Sequence, residues 1–212
     1  MIPEKILALQ FIPNAAAALC RALEIPQSHP ALALVTTDCD DATYIALDEA
    51  TKAAEVEVSY GRSFYAGSSN ASTPYAGEVI GILSAATPGA ARSGMEAVVS
   101  ALGRIGFDEA EGVPYLAHTV SSCGSFLSKE AGVQPGAALA YLIAPPLESV
   151  IALDAALKAS DVRLCKFYAP PSETNFGGGI LTGTQSACDA ACAAFAEAVT
   201  QVARRPILID RK

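Results

Sequence analysis

Apolar runs and amphipathic segments occur in the same order in both halves of the chain. Residues 31–36 and 137–144 are short apolar runs, which predict buried strands. Each is followed by a turn and then by a segment with helical periodicity, about 42–54 and 148–160. The turns differ, because Asp38-Cys39-Asp40-Asp41 predicts carboxylate capping, whereas Pro145-Pro146 predicts a start through the fixed φ of proline.

Period-two segments follow both helices and predict half-buried strands over 56–60 and 162–167. A loop rich in Gly, Ser, Asn and Pro comes next in each half, followed by predicted strands over 78–83 and 179–181. A final helix closes each half. Thr87-Pro88 predicts the N-cap of the first, and the second is expected from near Thr184 to Pro206.

The halves also share sequence. The segment Ile45–Val56 returns as Ile151–Val162, with eight of twelve positions identical at an offset of 106 residues, half the chain. Solenoid repeats have periods of about 20 to 50 residues, so this period indicates a duplicated domain. We predict domains at 1–108 and 109–212, each an α/β sandwich of helices packed on a mainly antiparallel sheet. Paired domains of this kind favour ring-shaped assemblies.

Composition excludes several classes of function. A net charge of −8 argues against nucleic acid or an anionic membrane as a partner. The longest apolar run, Ala137–Ala144, is too short to span a bilayer, and residues 1–5 do not resemble the start of a secretion signal. Six cysteines without a CxxC pair are typical of reduced thiols, so we expect a cytosolic protein.

Candidate catalytic and metal-binding residues are few. Cys188 and Cys192, at helical i,i+4 spacing, are either a metal clip or buried apolar side chains, and we favour burial. His118 and Cys123 are too weak a signal for a catalytic dyad. The Asp38–Asp41 turn resembles a fragment of a calcium loop but lacks its glycine and closing glutamate.

Carboxylates at the ends of predicted elements are a stronger signal. They could line a narrow opening that attracts cations, or they could be surface charges that reflect the acidic balance of the chain. The residues concerned are Asp40, Asp41, Glu78, Glu148 and Glu173.

Six motifs resemble the L-type shell proteins of ethanolamine-utilisation microcompartments, a family of tandem-domain bacterial microcompartment shell proteins. The resemblance covers about Leu34 to Pro206. The motifs are TDCDDATY (37–44), DEATK (48–52), YGRSFYAG (60–67), AGEV (76–79), APPLE (144–148) and PPSETN (170–175).

The resemblance implies two circularly permuted microcompartment domains in each chain. It implies a homotrimer that forms a pseudohexagonal tile and packs with other shell proteins around enzymes in the cytoplasm. Loops Tyr60–Asn70 and Tyr168–Gly179 would gate a central pore. Gate residues carried over from the family are Tyr60, Gly61, Arg62, Ser63, Phe64, Tyr65, Gly67, Ser172, Asn175, Phe176 and Gly177.

The resemblance also implies that a small amino alcohol binds near the pores. A carboxylate cluster suits a protonated amine through charge-assisted hydrogen bonds. The matching positions are Asp40, Asp41, Glu78, Phe107, Glu148, Glu173 and Thr174. We expect no catalysis, cofactor or metal. The compartment's pathway stays open between ethanolamine, choline, propanediol and another aldehyde-generating route. The alternatives are an amine-sensing trimer that builds no shell and a metal-dependent acid-cluster hydrolase.

Overall fold

A computed structural model describes residues 2, 4–63, 79–170, 172 and 175–207. In chain order the elements are β1 (Ile6–Ile12), α1 (Ala17–Ala22), β2 (Ala31–Thr37), α2 (Asp40–Ala53), β3 (Glu57–Ser63), β4 (Val79–Ala85), α3 (Pro88–Leu102), β5 (Asp108–Ala110), β6 (Val113–Val120), α4 (Ser125–Ala131), β7 (Ala138–Ala144), α5 (Pro146–Ala159), β8 (Val162–Tyr168), β9 (Gly177–Gly183) and α6 (Gln185–Arg204).

The chain divides into two compact units. The first-repeat unit contains residues 3–106 together with 123–130, and the second-repeat unit contains 1–2, 107–122 and 131–212. The sequence predicts a division at residue 108. The compact units differ from it mainly at residues 123–130, the segment that carries α4, which lies in the first-repeat unit.

Each unit contains an antiparallel sheet with the same strand order. The first sheet runs β1-β2-β4-β3, and the second runs β5-β6-β7-β9-β8, so β6 to β9 repeat the arrangement of β1 to β4. Every strand pair in the described residues is antiparallel. Both repeats have a β-bulge at the matching position, Ser59 in β3 and Cys165 in β8, and β1 has a further register shift at Leu7. The predicted α/β fold is confirmed.

The core of the second-repeat unit forms where α5 and α6 pack on β7, a strand that is buried at every position. Cys188, Cys192 and Phe195 project from α6 into this core. The central strand β9 approaches β7 so closely that a Cβ at Gly178 would collide with the carbonyl oxygen of Leu142. Since Gly178 also has a φ of 152°, only glycine fits this position.

Three of the four predicted helix starts are confirmed, and the fourth begins by a different mechanism. Thr87 Oγ1 accepts from Ala90 N at 3.2 Å, Thr184 caps α6 in the same way, and a proline opens α5. The expected carboxylate cap of α2 was wrong, because its N-cap is Cys39, without a side-chain hydrogen bond. Asp38 Oδ1 instead accepts from Lys5 N at 2.8 Å.

A buried carboxylate explains why α4 belongs to the first-repeat unit. Asp48, which is 0% exposed, accepts hydrogen bonds from Gly124 N (2.6 Å), Leu127 N (2.8 Å) and Phe126 N (3.1 Å). Thr51 Oγ1 accepts from Ser125 N at 3.0 Å. Together they satisfy the free N–H groups at the start of a seven-residue helix, which is too short to be stable alone.

Gly124 is required for this contact. A Cβ at Gly124 would lie 2.7 Å from the carbonyl oxygen of Asp48 and would also collide with Thr51 Oγ1. The start of α4 therefore lies directly against α2.

We predict that Asp48→Ala destabilises the protein by about 2–4 kcal/mol, because it leaves several buried N–H groups without an acceptor. Urea denaturation at fixed protein concentration measures the change in the free energy of unfolding. The matched control is Glu96→Ala, which removes an exposed carboxylate from α3 in the same unit. A loss for Asp48→Ala as small as that of the control would contradict the anchoring role.

Candidate functional site

The acidic turn, residues 38–41, is the best-defined candidate site in the described residues. Asp40 and Asp41 form the first turn of α2, and each is only 8% exposed. Threonines hold the turn in place: Thr43 Oγ1 donates to the Cys39 carbonyl at 2.7 Å and lies 2.7 Å from Thr37 Oγ1. The alternative that these carboxylates are surface charges does not hold for Asp40 and Asp41, since both are withdrawn from water.

Burial governs the electrostatics of Asp40. Desolvation raises the pKa of its carboxyl above the ordinary value, while the Ser63 hydroxyl and the Asp41 backbone N–H lower it. Asp41 N donates to Asp40 Oδ1 at 2.9 Å. Ser63 Oγ is buried beside this carboxylate and makes no hydrogen bond of good geometry with the residues that the structure describes. The turn therefore combines negative charge with a hydroxyl that can still form a hydrogen bond to a ligand.

Cys39 experiences the same negative field. Burial raises the pKa of its thiol well above the usual range, and the charges of Glu4, Asp41 and Asp40 raise it further. The thiol therefore stays protonated near neutral pH and is a poor nucleophile. This environment favours a cationic ligand and disfavours an anionic one.

The equivalent turn in the second repeat has different chemistry. Pro146 and Leu147 occupy the positions of Asp40 and Asp41, and the half-buried Glu148 is the acidic residue of the first turn of α5. Ser149 Oγ donates to the Pro146 carbonyl at 3.0 Å. The acidic turn is thus a property of the first repeat alone.

Four of the predicted gate residues lie on β3. Tyr60, Gly61, Arg62 and Ser63 belong to β3, so the loop begins later than the sequence predicted. Arg62 lies over the Tyr60 ring, 5.9 Å from its centroid. The alternation of strand residues did not reveal this extension, because a bulge at Ser59 interrupts the period of two.

The second predicted gate loop is bounded by β8 and β9. Ser172 N donates to the Phe176 carbonyl at 2.8 Å, and Asn175 has a φ of 65°. Phe176 packs edge-to-face on Phe107, with ring centroids 5.6 Å apart. Gly177 already belongs to β9, where a Cβ would lie 2.8 Å from Ser149 Oγ.

The structure brings Asp40 together with Asp41, and Phe107 together with Phe176. Glu148 lies in the second-repeat unit. The remaining predicted residues lie outside the described ones: Glu78, Glu173, Thr174, Phe64, Tyr65 and Gly67.

The described cysteines support burial rather than a metal clip. Cys192 Sγ accepts from Thr119 Oγ1 at 3.4 Å, and burial raises the pKa of Cys192 to about 11. Within the ranges that the structure covers, no group of three His, Cys, Asp or Glu side chains is placed to hold a metal ion.

Sequence reasoning missed two features. One is the Asp48 anchor, which depends on a contact across more than seventy residues. The other is an apolar face on α5 and β8 that is open to solvent, with exposed Leu147, Ile151 and Phe167. A signal for it was present, because aligning the repeats places Leu147 opposite Asp41.

Comparison with known proteins defines the class and then the family. Residues 31–113 match the BMC domain, the domain of bacterial microcompartment shell proteins. The chain is 54% identical to the bacterial microcompartment shell protein EutL of Clostridium perfringens, over 98% of this chain and 97% of that protein. It is 45% identical to EutL of Salmonella typhimurium, with coverage of 98% and 96%.

A solved structure agrees. The crystal structure of the ethanolamine utilization protein EutL from Leptotrichia buccalis has a TM-score of 0.94, 53% identity and 98% coverage of both chains. The chain therefore belongs to the EutL family of bacterial microcompartment shell proteins. The predicted resemblance is confirmed, and so is the prediction that the protein is not an enzyme, since these relatives are shell proteins.

No helix in the described part of the chain is long and apolar enough to cross a membrane.

We predict a distinctive pH dependence for Asp40→Asn. Because burial raises the folded-state pKa of Asp40 above 3.8, the folded state holds more protons between these two values. The stability that Asp40 contributes therefore falls as pH rises through this interval and is constant above it. The free energy of unfolding of the variant, relative to the wild type, should rise through the same interval and then level off.

Chemical denaturation at a series of pH values measures this difference. Asp189→Asn, which removes a carboxylate from an exposed position on α6, is the charge-matched control. A difference for Asp40→Asn that falls with rising pH would contradict the direction of the shift.

Proposed function

We propose that this protein is a homotrimeric, pseudohexagonal tile in the shell of a cytoplasmic microcompartment, where it packs with other shell proteins. The observation that carries the proposal is the duplicated sheet: β1-β2-β4-β3 and β6-β7-β9-β8 have one topology. Three such chains supply six similar domains, the number needed to close a hexagonal ring. Family membership supports the shell role.

The tile carries a gated central pore in this proposal. The two gate segments occupy equivalent places in the topology, since 64–78 connects β3 to β4 and 169–176 connects β8 to β9. Loops at equivalent places in six domains would form a symmetric set around the ring axis. The gate passes metabolites or cofactors, and the name of the solved relative favours ethanolamine metabolism as the pathway served.

The acidic turn binds a small protonated amino alcohol. Asp40 and Asp41 supply negative charge, and the buried Ser63 hydroxyl offers an acceptor to an ammonium or hydroxyl group. Because the turn is held by Thr37 and Thr43, its carboxylates need little reorganisation to receive a cation. Glu78, Phe107, Glu148, Glu173 and Thr174 complete the proposed set of ligand-binding positions.

Assembly is the first test. We expect purified protein to be a trimer by multi-angle light scattering, and concentrated samples to form hexagonal sheets under negative-stain microscopy. A trimer that never forms sheets would favour the alternative, an amine-sensing trimer that builds no shell. A stable monomer or dimer would contradict the tile.

Amine binding is the second test. We expect 2-aminoethanol to bind in calorimetry, and Asp41→Asn and Glu173→Gln each to weaken binding roughly 10- to 150-fold, the loss of one ionic partner. Asp189→Asn is the charge-matched control and should leave the affinity unchanged. Wild-type affinity in both variants would exclude these carboxylates from the site.

A further inference from the structure

The second-repeat unit presents an exposed apolar face, which we call the α5/β8 face. On α5 it consists of Leu147, Val150, Ile151 and Asp154, which have the i, i+3, i+4, i+7 spacing of one helical stripe. Leu164 and Phe167 extend it onto β8. Leu147 is 57% exposed and Phe167 is 49% exposed. Clustered large apolar side chains in water indicate an interface.

The matching face of the first repeat is covered. Ile45 and Asp48 on α2, which correspond to Ile151 and Asp154, are fully buried. The cover is α4: Phe126 lies with its ring centroid 6.0 Å from that of Tyr44, and Asp48 binds the first N–H groups of α4. The packing of α4 on α2 therefore shows which kind of helix can cover the matching α5/β8 face.

The first-repeat counterpart of α4 is α1, because α1 lies between β1 and β2 and α4 lies between the matching strands β6 and β7. The two helices bury different residues. When the two helices are aligned on their leucines, at an offset of 108 residues, Leu127 of α4 is 1% exposed, whereas its counterpart Leu19 of α1 is 41% exposed. In α1 the N-cap is Ala16, without a side-chain hydrogen bond. The side that α4 buries is thus left open on α1.

Side-chain volumes at matching positions are exchanged. In the first repeat the large Phe126 sits over Gly61, whose Cβ would lie 3.6 Å from the Phe126 ring. In the second repeat Phe167 takes the position of Gly61, and α1 has the exposed Ala18 in place of Phe126. In the first repeat the large residue is on the helix and the small one is on the strand. For α1 and β8 the small residue is on the helix and the large one is on the strand. This reversal is what packing of α1 on the α5/β8 face requires.

The residues that make polar contacts between α4 and α2 are also replaced by more apolar ones in the α1 and α5 pair. Ala16 has a Cβ where Gly124 has none, and Leu157 replaces Thr51. The α5/β8 face therefore offers fewer hydrogen bonds and more apolar surface than the matching face of the first repeat. Asp154 keeps the carboxylate of Asp48. It pairs with Lys158 at 2.6 Å on an exposed surface, an interaction of small net value that leaves the carboxylate available.

We propose that α1 of one copy packs on the α5/β8 face of the next copy, with Ala18 against Phe167 and Leu19 near Ile151. This inference rests on the proposed trimer and identifies its contact. The interface is head-to-tail, because the two surfaces differ, and three such contacts close the ring.

A size-exchange experiment tests the contact. Sedimentation velocity over a concentration series measures the trimer–monomer midpoint of the full chain. We expect Ala18→Phe to raise this midpoint roughly 10- to 100-fold, since it places a second large ring against Phe167. Phe167→Ala should raise it as well, by leaving a cavity. The double variant restores the arrangement of the first repeat, so it should return within about threefold of wild type.

The controls separate this inference from the proposed function. Ala190→Phe places the same ring at an exposed alanine of α6 and should leave the midpoint unchanged. A trimeric wild type whose midpoint neither single variant alters would overturn the contact while leaving the tile intact. Two losses that simply add in the double variant would also overturn it. A wild type that never trimerises would remove the tile and this inference together.

Discussion

The first-repeat unit depends on one contact, in which the buried carboxylate of Asp48 binds the start of α4, a helix from the other half of the sequence. Desolvation raises the pKa of Asp48, and the backbone N–H groups of Gly124 and Leu127 oppose this rise, with a smaller contribution from the charge of Lys52. The contact joins α2 to a segment between two strands of the second repeat. It therefore holds residues 123–130, which come from the second half of the sequence, within the first-repeat unit.

The repeated part of the fold could be predicted because its signals are local. Apolar runs gave β2 and β7, and Thr87, Thr184 and Pro146 marked helix starts that the structure has. The elements that were missed, β1, α1, β5, β6 and α4, are short or mixed in polarity. Their stability comes from partners distant in sequence, which a local pattern does not record.

The candidate site was predictable in part. Asp40 and Asp41 were singled out by their position at an element end, but their burial was not foreseen, because a run of aspartates ordinarily marks a solvated turn. The hydrogen bonds of Thr37 and Thr43 hold this turn in place, and Ser63 of β3 lies beside Asp40, so that water is kept from the carboxylates. The α5/β8 face was hidden for a similar reason, since apolar residues on an amphipathic helix are usually assigned to the core.

The acidic turn has a consequence for how such a protein can evolve. In a ring of six identical single-domain subunits, every mutation appears six times, so a carboxylate pair introduced for one purpose is imposed on all positions. Gene fusion removes that constraint. Here Asp40 and Asp41 correspond to Pro146 and Leu147 in the duplication, so one repeat has a buried acidic turn where the other has an exposed apolar side chain.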